Sequence, residues 1–440
     1  MELITMRITN QMMTNTILMN INRNKASLSE YETQLATGKK IQKPSDDPIV
    51  AVRALRFRTS VNEITQYKTN AEDATSWASV SEQAVSNVTS IIDRLRELSV
   101  QSATDVMSAS NRGNVVTEMS ELTEQFLSEA NASYAGRYVF GGFKTSTPVV
   151  TIEESTDQYK LTEDFTSDAV EEVQRVYEGG ANPEIITINR IRLGYSNVTN
   201  GDEAALMTAL GGGFTAMNTV SADDVDAYLP AENQVNFIEE TGELIFNSAD
   251  LTDIPEDFKF TYEKHGLAKT DLAPEHYFNG ENMTTGAEFQ VGSEDVKYQI
   301  SYSQDITVNT MSYDVISIDM QRDMEELVSF TENLDVDDSL ATELNEGLLG
   351  DKFSDLLGKL DKHMDQLLNT RAAIGGKINR LELTISRLDA DELNFTDLLS
   401  ENEDVDYAEV YIKMSSMETV YQASLSASSK VLQPTLLDFI

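Results

Sequence analysis

At both ends of the chain, apolar positions recur in alternating steps of four and three. Ile17, Ile21, Asn24, Leu28, Tyr31 and Leu35 keep that spacing, which lines one seam along a helix and predicts a coiled-coil-like contact. Gly38 follows as a C′ glycine, with Lys39 and Lys40 at the negative end of the helix dipole. Ser45-Asp46-Asp47-Pro48 then announces a second helix. Asp47 suits the N-cap, and Pro48 suits the first helical position, where its missing N–H costs nothing. Trp77, Ser81, Ala84, Val88, Ile91, Leu95 and Leu98 continue the spacing beyond it. A third helix carries Val115, Met119, Leu122, Phe126, Ala130 and Ser133 and should stop near Gly136. Toward the other end a seam runs from Phe353 through Leu360, Leu367, Ile374 and Leu381 to Leu388. A helix over that stretch would be roughly 54 Å long, and a single apolar stripe of such length needs partner helices. Arg371 falls on this seam and reads as a snorkelling stem. Tyr407, Val410, Met414, Met417 and Tyr421 form the last seam, continuing through Leu425 and Leu432.

Between these ends the period changes. Tyr138-Val139-Phe140-Gly141-Gly142-Phe143 is strand-like with glycine punctuation. From about 149 to 320 the chain reads as short strands and turns, with candidates at 185–188, 258–262, 296–302 and 306–308. A hairpin is predicted from 235–239 and 243–247 around Thr241-Gly242. Short helices are expected at 203–210 and 223–229, and Gly211-Gly212-Gly213 as a flexible joint.

The order helices, strands, helices predicts an α+β fold, with a long coiled-coil-like α-helical bundle built from the N- and C-terminal regions and a β-rich insertion domain in the middle. The expected division is terminal helices at 1–44 and 401–440, a central helical bundle at 45–148 and 321–400, and a variable outer domain at 149–320. The terminal helices are thinly apolar, the first crowded with Asn and the last with Ser. Such a pair buries little by itself, so it is expected to fold on assembly with neighbouring copies.

Charge sharpens this division. The chain of 440 residues carries a net −41. Residues 1–148 hold 15 basic and 16 acidic residues, whereas 149–320 hold 8 and 33 and 321–440 hold 10 and 25. A surface so acidic repels nucleic acid and anionic membrane, so neither is an expected partner. The near-neutral N-terminal part suits packing against copies of itself, and the acidic middle suits water. Cysteine is absent, which removes disulfides, thiolate metal sites and cysteine nucleophiles. His265, His276 and His363 show no metal-ligand spacing, and 335–338 lacks the loop of an EF-hand. There is no phosphate-cradling glycine loop and no arrangement for nucleophilic catalysis. Neither an enzyme nor a cofactor is expected. The N-terminus shows no cleavable secretory signal, and no apolar run is long enough to span a membrane.

Two motifs carry a resemblance. The stretch from Leu35 through Gly38 to Ser45, Asp46, Asp47 and Pro48 resembles the N-terminal motif of the flagellin-like family. The run Ala135, Gly136, Arg137, Tyr138, Val139, Phe140, Gly141 and Gly142, with the ending from Tyr421 to Ile440, resembles the hook-associated protein 3 branch of that family. The resemblance covers about the first 148 and the last 130 residues. It implies export in unfolded form without a cleaved signal, and an extracellular place at the hook–filament junction. The partners it implies are further copies of the chain in a ring, the first hook-associated protein, flagellin and a cytosolic export chaperone. It also implies that the working surfaces are the terminal helices, here Ile17, Ile21, Leu28, Leu35, Val410, Met414, Met417, Tyr421 and Leu425. The rival readings are flagellin itself and a coiled-coil surface scaffold unrelated to flagella.

Overall fold

A computed structural model of the chain describes residues 10–102, 109–180, 182–211, 213–292, 294–332 and 340–431. The N-terminal helices are α1 (Asn10–Thr37), α2 (Pro48–Ser102) and α3 (Ala109–Glu129). A β-rich stretch follows. It contains β1 (Ser133–Tyr134), β2 (Arg137–Tyr138), β3 (Ser155–Thr166), β4 (Glu171–Tyr177), β5 (Glu184–Arg192), β6 (Val198–Thr199), α4 (Glu203–Leu210), β7 (Ala216–Val220), β8 (Gln234–Ile238) and β9 (Glu243–Phe246). It continues through β10 (Asp257–Leu267), α5 (Pro274–Tyr277), β11 (Asn279–Asn282), β12 (Ala287–Phe289), β13 (Lys297–Ser301), β14 (Gln304–Thr307) and α6 (Ser312–Val315). Helices return as α7 (Ile318–Glu332), α8 (Leu340–Glu403) and α9 (Tyr407–Val431). The α+β architecture therefore has helices at both ends and strands between them.

The chain divides into two compact units, Met1–Thr69 with Thr384–Ile440, and Asn70–Leu383. In the first unit α1 packs on α9, and the start of α2 runs antiparallel to the end of α8. That second register is fixed by Asn402 Nδ2 donating to Val50 O at 3.1 Å and by Lys68 Nζ lying 2.5 Å from Asp389 Oδ1.

In the second unit two five-stranded sheets have the orders β12-β11-β3-β10-β6 and β4-β5-β9-β8-β7. In β3 every second residue turns inward, burying Tyr159, Leu161, Glu163 and Phe165, and β10 does the same with Phe258, Phe260, Tyr262 and Lys264. Phe237 of β8 meets Phe260 of β10 edge-on, with ring centroids 5.4 Å apart. That contact joins the inner faces of the two sheets. Trp77, Ser81, Ala84, Val88, Ile91, Leu95 and Leu98 of α2 and Leu360, Leu367, Ile374 and Leu381 of α8 are buried, as the heptad spacing predicts.

Some expectations change. The third helix ends at Glu129, because the chain turns into the β1–β2 hairpin well before Gly136. Residues 223–229 form successive turns rather than a helix; Asp224 and Asp226 carbonyls accept from Ala227 and Leu229 amides in three-residue steps. Helix α4 lies where expected, capped by Asp202 Oδ1 on Ala205 N at 2.9 Å. The predicted hairpin forms between β8 and β9. Gly212, 335–338 and Leu432 lie outside the described residues.

Candidate assembly surface

The seam between α1 and α9 is built as the spacing predicts, but lightly. Ile17, Ile21, Asn24, Leu28, Tyr31 and Leu35 are each half-buried; in α9 Val410 is buried and Met414, Met417 and Tyr421 are half-buried. The next α9 positions are Ser424 and Ser428, and Asn24 Nδ2 donates to Ser424 Oγ at 3.1 Å. Leu425 lies outside this intrachain seam and is 44% exposed. The step from Tyr421 is three, not four, so a serine takes the inward position. Met12, Met13, Leu18 and Met19 on α1, and Tyr411, Ile412 and Val420 on α9, are also exposed. These two helices thus leave apolar side chains on the outside and place polar ones in the contact.

The first family motif is a joint within the same unit. Gly38 has φ +71°, and its N–H donates to Gln34 O at 2.8 Å, closing α1. A Cβ there would lie 2.6 Å from Tyr407 Oη and push that exposed ring aside, but it is the backbone that requires glycine. Val405 N donates to Gly38 O at 3.0 Å and Lys40 N to Glu403 O at 2.7 Å. The strap after α1 is thereby tied to the turn between α8 and α9. Glu403, 2% exposed, pairs with Arg58 and with Lys39. Lys39 also lies 2.6 Å from Asp404, and that hydrogen bond holds Lys39 above and Asp404 below their ordinary values. Asp46 accepts from the amides of Lys43 (2.8 Å) and Gln42 (3.0 Å), which lowers its pKa. Asp47 Oδ1 accepts from Ile49 N and Val50 N at 2.9 and 3.1 Å, and Pro48 opens α2 as predicted. Ser45 occupies the exposed turn before the cap.

The second motif lies in the other unit. Ala135 and Gly136 have φ +50° and +77°, the pair of positive values that a tight β1–β2 hairpin demands. Arg137 is exposed, Tyr138 half-buried, and Val139 and Phe140 are buried. Gly141 bridges to Met311, and a Cβ on Gly142, at φ +59°, would meet Met311 Sδ at 2.7 Å. Asn131 clamps the following loop, its Oδ1 accepting from Val149 N and Val150 N and its Nδ2 donating to Val150 O.

One cluster escaped sequence reading. The side chains of Arg190 and Arg192 of β5 are buried against buried Glu243 and Asp323 and half-buried Glu171 and Glu326, and Lys352 and Lys359 of α8 join them. Burial alone would raise Asp323; His363, at 2.8 Å, with Arg192 and Lys359 overrides it and holds the carboxyl at about 2. The signal was available in part: Arg190 and Arg192 alternate on a strand, a pattern that puts two cations on one face. Arg371 of α8, read as a snorkelling stem, instead pairs with Glu82 at 2.7 Å. Among the described residues no group of His, Asp and Glu could hold a metal ion, and no helix is long and apolar enough to cross a membrane.

With known proteins the match falls on the two ends. The model of the bacterial flagellin N-terminal helical region matches residues 8–145, and that of the bacterial flagellin C-terminal helical region matches 357–440. Flagellar hook-associated protein 3 of Escherichia coli is 34% identical over 143 residues, 32% of this chain and 45% of that protein. Its counterpart in Salmonella typhimurium is 28% identical over 190 residues, 42% of this chain and 59% of that protein. The chain thus spans about half the length of the curated relatives it matches. The solved flagellar junction protein FlgL of Legionella pneumophila covers 81% of this chain and all of its own, at 13% identity and a TM-score of 0.36. The two family models together take in just over half of the chain, including the joint, the hairpin and the seam, and the chain belongs to the flagellin-like family.

Proposed function

We propose that this chain is the structural junction between the hook and the filament of a bacterial flagellum. The observation that carries the reading is which relatives align furthest. Two proteins named flagellar hook-associated protein 3 match over 143 and 190 residues, whereas the flagellins of Escherichia coli and Clostridium tyrobutyricum match over 100 and 128. The Gly136–Gly142 run and the Asp47-Pro48 step point the same way. In this reading residues 1–44 and 401–440 form the assembly core, 45–148 and 321–400 the central bundle, and 149–320 the outer domain. Neighbouring copies cover what the α1–α9 seam leaves half-exposed, the side chains of Ile17, Ile21, Leu28, Leu35, Met414, Met417 and Tyr421, together with Leu425 beside it, while Val410, already buried, anchors the seam. The polar α1–α9 seam is weak alone and gains burial from those neighbours. The protein acts outside the cell by assembling, not by catalysis. It meets the first hook-associated protein on one side and flagellin on the other, after a cytosolic chaperone has delivered it for export without a cleaved signal.

A deletion strain tests this. Loss of the gene should leave hooks without filaments, with flagellin released into the medium. If hooks still carry filaments of another flagellin, the chain is not the junction. If the filaments themselves vanish and no other flagellin is made, it is a filament subunit.

A further inference from the structure

Two exposed patches in the first unit complement one another in charge. Residues 48–62, opening α2, hold three arginines and no acidic residue, and residues 388–412 hold nine acidic residues and no basic one. Arg58 and some of those acids pair within the chain. Arg53 and Arg56 on α2 and Asp397 on α8 do not; they are exposed and make no ion pair among the described residues, and the Glu401 carboxylate is likewise exposed and makes none among them. Apolar side chains stand beside them: Val52 and Leu55 are 51% and 57% exposed, and Leu398 is 43% exposed.

Helical geometry sets the direction of these patches. On α2 the buried or half-buried positions Val50, Ala51, Ala54 and Phe57 turn toward the rest of the unit, and at 100° per residue Val52 and Arg56 fall on the opposite side. On α8 Phe395, Leu399, Asn402 and Glu403 turn inward, leaving Asp397 and Glu401 opposite. The antiparallel register, fixed by Asn402 on Val50 and by the Phe57–Phe395 ring contact at 6.5 Å, puts both patches within about one helical turn of the same height.

We propose that a second copy of this chain docks here, the arginine face of α2 on one copy against the carboxylate face of α8 on the next. The contact is heterologous: two different patches meet, each copy keeps one of each free, and association propagates sideways without axial displacement. Free charges of opposite sign steer and register such a contact, with Val52, Leu55 and Leu398 supplying the apolar centre. This rests on the self-association proposed above but concerns a surface other than the α1–α9 seam.

The absence of cysteine makes the test clean. A full chain carrying Leu55→Cys and Leu398→Cys replaces the wild type, and hook–filament particles are oxidised and run without reductant. A covalent ladder beyond dimer is expected, and none from either single cysteine variant. Reversing one face, by Arg53→Glu with Arg56→Glu or by Asp397→Lys with Glu401→Lys, sets like charges opposite each other and should cut the ladder about tenfold or more. Reversing both faces in one chain should restore it. Particles that carry the protein but give no ladder, a product that stops at dimer, or a ladder indifferent to one-face reversal would each overturn the proposal while leaving the junction reading intact. If no particles carry the protein, the junction reading fails. The same ladder, read on the purified concentrated chain, then decides this contact independently.

Discussion

Glu163 shows how much one residue can set at the scale of side chains. It occupies an inward position of β3, where alternation demands an apolar side chain, and burial pushes its carboxyl up to about 7 despite donors from Tyr262 O–H and Gly194 N–H. The folded carboxyl therefore holds a proton that an unfolded one releases near 4.3. Its effect on stability is neutral at acid pH. It turns unfavourable as pH rises from the unfolded value through about 7, where folding must either bind a proton or bury a charge. Both donors land on Oε1, so Glu163→Gln keeps an acceptor in place and removes only the titration. The variant should match the wild type in thermal stability at about pH 4 and exceed it by about 3–4 kcal/mol above about pH 8. Equal melting temperatures for the two proteins at both pH values would show that Glu163 does not carry the penalty. From sequence this residue was invisible. Glu163 alternates with Lys160, Thr162 and Asp164 in a polar-looking run, and 155–166 was not read as a strand. Gly38 was legible, because a glycine after a seam followed by lysines has one common reading, and its φ of +71° agrees.

Among the elements, the heptad seams were the clearest text, and the long stripes of α2 and α8 are buried where the spacing put them. The strands were harder. β8, β9 and β10 carry continuous or alternating apolar residues and were found, whereas β3 and β4 alternate acids and cations with their inward residues and were not. The helical spacing of α9 predicts the inward positions from Val410 to Tyr421 but misplaces Tyr407, which is 59% exposed, and by following leucine rather than geometry it puts Leu425 on a seam that Ser424 and Ser428 occupy. That polar continuation has a consequence for dynamics. A pair of helices joined through Asn24–Ser424 and half-buried apolar residues buries too little to hold a full set of backbone hydrogen bonds against opening. In dilute monomer, amides of α1 and α9 should exchange with deuterium within about a minute, while those of α2 near Val88–Leu95 remain protected over hours. In assembled particles the terminal amides should become protected. Strong protection of 12–35 and 410–428 already in the monomer would mean that assembly contributes no order there.

Over the whole molecule, the sequence showed an excess of acid in the middle, and the division into units makes that asymmetry sharper. The unit formed by 1–69 and 384–440 holds 13 basic and 17 acidic residues, and 70–383 holds 20 and 57. Almost the entire net charge of −41 therefore resides in one unit. Like charge at that density opposes compaction, and the effect is long-ranged, so salt should relieve it. The buried cluster around Arg190 and Arg192 works the other way but is out of reach of counterions, since those side chains are only 7% exposed. Raising ionic strength from about 0.01 to 0.15 M shortens the screening length from about 30 to about 8 Å. That change removes repulsion between distant carboxylates while leaving contacts inside the cluster almost untouched. Trp77, the one tryptophan of the chain, is 2% exposed within the acidic unit and reports its unfolding. Its fluorescence melting temperature should rise by several degrees over that salt range. Peptide-resolved exchange should show opening free energies rising across 70–383 and changing little in 12–69 and 384–428. A uniform gain in both units would mean that salt acts on packing in general, and the acidic unit's charge would then not be what limits its stability.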